Sequence, residues 1–214
     1  MSPMTRWLCI VLAVCAAPAT LAKGSAEAGA TKTPVCVACH GPNGNSVNPL
    51  WPVLAGQNSN YISAQLKYFH ANQRINSGGL MVGIASTLQD QDIEDLALYY
   101  SQQTPTGQEA DPSTVAAGEK LYRGGDRARH IPACIACHGP AGLGNPAAGY
   151  PALRAQHAEY VAKELSDYAA GQRYSKNDKG ESAGDGNAVI MNTIASRLSV
   201  DDMKSLASYV QGMR

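Results

Sequence analysis

Pro34-Val35-Cys36-Val37-Ala38-Cys39-His40-Gly41-Pro42 returns later in the chain as Pro132-Ala133-Cys134-Ile135-Ala136-Cys137-His138-Gly139-Pro140. The likeness continues downstream. Pro52-Val53-Leu54-Ala55-Gly56-Gln57, followed by Tyr61, Leu66, Gln73 and Arg74, matches Pro151-Ala152-Leu153-Arg154-Ala155-Gln156, followed by Tyr160, Leu165, Gln172 and Arg173. Eleven extra residues then separate the copies, within the Gly/Asp/Lys-rich run 176–187, which reads as a surface loop. Beyond it Met81, Ile84, Ala85, Leu88, Asp92, Leu96 and Tyr99 face Met191, Ile194, Ala195, Leu198, Asp202, Leu206 and Tyr209. A unit written twice predicts two tandem domains of similar fold rather than a solenoid.

Each copy carries helical periodicity. Ile62, Leu66 and Phe69 share one face, as do Val161, Leu165 and Tyr168. A last helix places Ile93, Leu96, Ala97 and Tyr100 inward in the first copy, and Met203, Leu206, Ala207 and Val210 in the second. Asp90 and Asp92 mark its start in one copy, and Ser199 with Asp202 three residues on marks it in the other. No convincing alternation of apolar and polar residues suggests a strand, so the expected class is all-α. Residues 101–114, with Pro105, Gly107 and Pro112, read as the linker between domains at 23–100 and 115–214.

The N-terminus has one cation, Arg6, then an apolar run from Trp7 to Ala17 and the small residues Ala19 to Ala22. This is the pattern of a signal peptide over residues 1–22, and it is too short to span a bilayer. A lipoprotein signal ending at Cys15 is the other reading of the same residues, although Val14 is bulky for that role. Formal charge is zero over 214 residues, which points to no nucleic acid and no anionic surface. The first domain is weakly acidic and the second weakly basic. Phe occurs once and Trp twice, so two small cores built from side chains alone would be short of large apolar groups.

Four cysteines remain once the leader is removed, and in an exported chain the default reading would be two disulfides. Here each Cys-x-x-Cys pair is followed at once by His, the signature of c-type haem attachment. Two thiols bond to the porphyrin vinyl groups and the adjacent imidazole is placed to ligate the iron. The expected cofactors are therefore two covalent haems c, one on Cys36, Cys39 and His40 and one on Cys134, Cys137 and His138. A zinc ion shared by the two pairs would need them to converge, although each is embedded in its own repeat. A redox dithiol expects a strand-to-helix setting that the sequence lacks.

The remaining iron ligand separates a carrier from an enzyme. Met81 and Met191 align with each other, each in a segment that reads as helix-poor between two helices. Met203 aligns with Ile93 and reads as core, and Met213 has no counterpart. His70, His130 and His157 face Ala169, Lys32 and Asn58 across the repeat, and a shared site should not use unshared residues. Pro52 and Pro151 either offer backbone carbonyls to the ring N–H of the ligating histidines or only set a turn. Arg74 and Arg173 either pair with haem propionates or cap the ends of helices.

These motifs resemble the dihaem class I cytochromes of the cytochrome c4 family over nearly the whole chain after the leader. The resemblance rests on both attachment motifs with their Gly-Pro, the Pro-x-Leu-x-x-Gln-x-x-x-Tyr segments and the Met-x-x-Ile-Ala-Ser-x-Leu stretches. It implies His40 with Met81 on one iron, His138 with Met191 on the other, and carbonyl contacts from Pro52 and Pro151. It further implies a periplasmic one-electron carrier, loosely associated with a membrane, exchanging electrons with a quinol-oxidising complex or a terminal oxidase rather than catalysing a reaction. Two rivals stand beside that reading. One is a dihaem electron-accepting subunit of a dehydrogenase, of the kind found in sulfide-oxidising flavocytochromes, and the other is a dihaem peroxidase. The run Asp126 to His130 has no match in the first copy and no evident role.

Overall fold

The computed structural model describes residues 24–74 and 77–214, so the leader lies outside the described residues. Ten α-helices occur among them. The first domain holds α1 (Ala26–Lys32), α2 (Pro34–His40), α3 (Ser59–His70), α4 (Leu80–Ala85) and α5 (Asp90–Ser101). The second holds α6 (Val115–Gly124), α7 (Ile135–His138), α8 (Ala158–Ala169), α9 (Gly186–Ala195) and α10 (Val200–Gly212). Isolated bridges occur among the described residues, but no strand pairs extend into a sheet. The fold is all-α, with two domains built on one plan.

In both domains the helix before the attachment motif crosses the last helix at close range, and a glycine permits the crossing. A Cβ on Gly29 would stand 2.2 Å from the Asp95 carbonyl oxygen, and one on Gly118 would stand 2.0 Å from that of Ser205. This pair of helices is also a repeat, one the aligned motifs did not reveal.

The apolar stripes predicted for α3 and α5 pack against each other. Ile62, Leu96, Ala97 and Tyr100 form the buried centre of the first domain, with Cys36, Leu54 and Leu66 against it. The second core is larger: Leu121, Tyr122, Ile131, Leu206, Val210 and Met213, with Cys134, Val161 and Leu165 alongside. Met213 is thus a core residue of its own domain. The expected start of α10 is observed, since the Ser199 hydroxyl accepts from the Asp202 N–H while the Asp202 carboxylate accepts from the Ser199 N–H. In α5 the Asp92 carboxylate accepts from the Gln89 N–H in the same way.

One expectation is overturned. The segments of Met81 and Met191 are helical, not helix-poor, and both side chains are half-buried in α4 and α9. Each helix has a defined start. Gly79 takes φ = 67° immediately before α4, and Asp185 caps α9 by accepting from the Ala188 N–H. The unmatched run before the second motif also acquires a structural role. Arg129 pairs with Asp126 and Asp202, and the His130 carbonyl accepts from Arg197. It pins the chain entering the motif to the start of α10.

The linker is tied to both domains. Asn45 donates to the Thr104 carbonyl and accepts from the Thr106 N–H, whereas Glu109 and Asp111 bond to Gln211 and Ser208 of α10.

Candidate functional sites

The attachment motifs form α2 and α7, and each ends on a buried histidine: His40 and His138 are both 7 % exposed. The His40 Nδ1 lies 2.9 Å from the Pro52 carbonyl oxygen, and the His138 Nδ1 lies 3.0 Å from that of Pro151. Such a bond makes Nδ1 the donor and leaves Nε2 as the nitrogen with a lone pair for a metal. Burial pulls both imidazole pKa values down, against the proline carbonyls, which favour the charged ring. Both rings are accordingly neutral at pH 7, the form that ligates.

None of the four motif cysteines is in a disulfide, and all are half-buried. Burial pushes the Cys134 thiol up to about 11 and that of Cys36 upward as well. A redox-active dithiol needs the opposite, a depressed pKa. Among the described residues no group of three or more His, Cys, Asp or Glu converges as a metal-binding cluster, so the two motifs do not meet in one zinc site.

The rival histidines lie elsewhere. The His70 Nδ1 faces the Ala85 carbonyl at 2.9 Å, and His130 is exposed in a turn at φ = 55°. His157 is 1 % exposed and joins three parts of the chain: its Nε2 meets the Ser46 carbonyl of the first domain and its Nδ1 meets Gln108 of the linker, both at 2.9 Å.

Arg74 and Arg173 do not cap helices. Backbone N–H groups of Ala71 and Ala170 close α3 and α8, and the guanidinium groups turn into the interface between the domains. Arg74 donates to Gln65 at 2.8 Å, to Tyr160 at 3.1 Å and to Glu164 at 3.0 Å. Arg173 donates to Tyr61 at 2.7 Å and pairs with the same Glu164. Each cation also lies over an aromatic ring of its own domain, Phe69 or Tyr168, at 4.7 Å. Burial alone would push the Tyr160 phenol up, but the two arginines outweigh it and hold its pKa below the ordinary value.

Glutamines at the interface were missed as functional candidates. Gln57 donates to the Ala152 carbonyl and accepts from the Ala152 N–H, both at 2.8 Å. Gln156 does the same to Val53, at 2.9 and 2.8 Å. The signal was present, since both glutamines lie within the aligned Pro-x-Leu-x-x-Gln segments, but nothing in one sequence says that an aligned residue reaches across to the other copy.

The cytochrome c family model matches residues 23–103 and again 115–214, one match for each copy of the repeat. The chain belongs to the cytochrome c family, among its dihaem c4 members. It is 45 % identical over 199 residues to cytochrome c4 of Azotobacter vinelandii, covering 90 % of each chain. Reduced recombinant cytochrome c4 from Pseudomonas stutzeri superposes with a TM-score of 0.79 at 42 % identity, over 89 % of this chain and all of that one. A protein of Thiomonas intermedia named thiosulfate dehydrogenase electron acceptor is 36 % identical, over 91 % of this chain and 83 % of its own length. Membership makes this chain a dihaem electron-transfer protein with two haems c.

The residues present suit that group. Each domain brings two thiols and a neutral imidazole to one short helix, and the interface holds two buried guanidinium groups, of which the Arg173 Nε has no hydrogen-bond partner among the described residues. A buried cationic donor of that kind suits a carboxylate such as a haem propionate.

Proposed function

We propose that the chain is a periplasmic one-electron carrier, with one haem on Cys36 and Cys39 and the other on Cys134 and Cys137. His40 and Met81 would ligate the first iron, and His138 and Met191 the second. The observation that carries this reading is the duplicated hydrogen bond from His Nδ1 to a proline carbonyl, which repeats in the two domains.

The haem supplies a reversible one-electron iron couple. The protein residues prepare its surroundings. Pro52 and Pro151 orient the imidazoles and raise their basicity, which favours the oxidised metal. Met81 and Met191 offer soft, neutral sulfur from helices packed beside α3 and α8. With His40 and Met81, or His138 and Met191, holding each iron, no place would be left for oxygen or peroxide, which favours a carrier over a peroxidase. Arg74 and Arg173 would offset propionate charge where the domains meet.

No helix among the described residues is long and apolar enough to cross a membrane. The leader pattern supports export to the periplasm, and association with a membrane would be loose. The partners we favour are a membrane quinol-oxidising complex as donor and a terminal oxidase as acceptor. The Thiomonas relative supports a second reading, in which the chain accepts electrons from a dehydrogenase.

A haemochrome spectrum of the mature protein should give two haems per chain. Met81→Ala and Met191→Ala should each abolish the thioether-to-ferric-iron absorption of one haem and lower its potential. An unchanged spectrum in either variant would remove that methionine from the ligand set. Stopped-flow reduction by a quinol-oxidising complex, compared with reduction by a thiosulfate-oxidising dehydrogenase, separates the two partner readings.

A further inference from the structure

Pro52 contributes the carbonyl, and Val53 the N–H, of one and the same peptide unit. The carbonyl faces His40 Nδ1 at 2.9 Å, while the N–H donates at 2.8 Å to the side-chain oxygen of Gln156 in the other domain. The peptide between Pro151 and Ala152 repeats the arrangement. Its carbonyl faces His138 Nδ1 at 3.0 Å, and its N–H donates at 2.8 Å to Gln57 of the first domain. Each glutamine closes a second bond to the carbonyl of the residue it holds, Val53 or Ala152, and its oxygen also accepts the N–H of the residue that follows it, His157 or Asn58. Held by three hydrogen bonds, neither amide can turn without breaking the set.

A peptide N–H that donates polarises its own carbonyl and makes it a better acceptor, because hydrogen bonds in series strengthen one another at low dielectric. The peptide is also planar, so fixing its N–H fixes the direction of its carbonyl. The chain of contacts therefore runs from an imidazole, through one peptide plane, to a glutamine of the opposite domain.

We propose that Gln57 and Gln156 are crossed positioning residues: each sets the strength and direction of the carbonyl that holds the haem-ligating histidine of the other domain. The proposal rests on the reading that His40 and His138 ligate iron. Gln156 then tunes the haem on Cys36 and Cys39, and Gln57 tunes the haem on Cys134 and Cys137. Removing a glutamine weakens the histidine hydrogen bond across the interface, lowers the basicity of that imidazole and favours the reduced metal there.

Gln156→Leu and Gln57→Leu in the full-length dihaem protein test this, with the two reduction potentials followed separately through the NMR signals of each haem's methyl groups. For Gln156→Leu the expected result is a rise confined to the first-domain haem, a roughly threefold to tenfold shift in its reduced-to-oxidised ratio at fixed potential, the weight of one hydrogen bond. Gln57→Leu should move only the second-domain haem. In the reduced protein, the His40 Nδ1 proton should exchange with solvent faster in Gln156→Leu, and that of His138 faster in Gln57→Leu. Shifts confined to the glutamine's own domain, equal shifts at both haems, or no shift would each overturn the proposal, since a general opening of the interface acts on both sides alike. Should a leucine variant not accumulate with two haems, Gln156→Glu keeps the acceptor for the Val53 N–H and loses the donor to its carbonyl. Its carboxylate is the stronger acceptor, so the crossed expectation stays with the first-domain haem and reverses in sign, to a fall in potential. Failure of the ligand reading would show differently, as absence of histidine–methionine spectra from the parent protein.

Discussion

The two domains fasten the same helix crossing by different means. In the first, α1 buries little beyond Gly29 and is held by polar ties. Lys32 bonds to Asp92 at 2.7 Å and to Asp95 at 2.6 Å, and the Ser25 N–H donates to Asp95 at 2.7 Å. In the second, α6 sends Leu121 and Tyr122 into the core, and Arg129 adds a more exposed bridge to Asp202, the counterpart of Asp92. The interface shows the same freedom. Asn58 reaches the Leu143 and Tyr150 carbonyls, and the residue aligned with it, His157, reaches the Ser46 carbonyl. Gln65 on one side stands opposite Glu164 on the other, and both serve Arg74. What the copies share is the placement of donors and acceptors around the histidines. The residues that supply it are exchangeable wherever another side chain can make the same bond.

The most damaging way to break the comparison is to remove what both crossings share. Gly29→Ala and Gly118→Ala each force a methyl group onto a backbone carbonyl, so the helices must part, at a cost of about 3 kcal/mol or more. Thermal unfolding of the dihaem protein should show comparable losses for the two. A loss in one only would mean that the crossings are not equivalent.

A smaller effect should sharpen the difference. Lys32→Ala leaves Asp95, whose side chain is 4 % exposed, without its cation and should cost about 2 kcal/mol. Arg129→Ala removes a more exposed bridge and should cost less, because Leu121 and Tyr122 still hold α6. Acid should act in the same sense. The Lys32 ammonium holds the Asp92 carboxyl below its ordinary pKa, so its contribution is complete above about 3.8 and is lost as pH falls below that. The carboxyl of Asp202, pulled down to about 2 chiefly by Arg129, loses its contribution progressively as pH falls from about 3.8 to about 2. Amide hydrogen exchange across pH 5 to 2 should show α1 losing more protection than α6, which Leu121 and Tyr122 still hold.

The smallest effect concerns the turn before each glutamine. Gly56 takes φ = 68° in the first domain, and Ala155 takes φ = 58° in the second. Ala155→Gly should relieve that conformation and raise stability by about 0.5 kcal/mol. The reverse substitution, Gly56→Ala, should destabilise, because a Cβ there would stand 3.0 Å from Pro105 of the linker.

Much of this was legible in the sequence. The two attachment motifs, the repeat and the stripes of α3 and α5 follow from residue type and spacing, which act over a few turns of helix. Three features did not follow, for related reasons. Gly29 and Gly118 matter through the backbone of a distant helix, and their own neighbours give no hint of it. The segment around Met81 read as helix-poor, yet a left-handed Gly79 can start a helix as readily as end one. Arg74 and Arg173 stand just past helix ends, where a cation commonly caps, but the interface buries them beside acceptors from the other copy. Contacts between domains leave no periodic trace.

A duplicated segment ordinarily gives evolution a spare, since one copy can drift while the other works. The reciprocal hold of Gln57 on Ala152 and of Gln156 on Val53 withdraws that freedom. Each half keeps part of the other's metal environment, so a change at either glutamine is felt in the neighbouring copy. The two halves are thereby inherited as one unit, and a hybrid that joins one half to a stranger's will work only where the borrowed partner returns the same pair of hydrogen bonds.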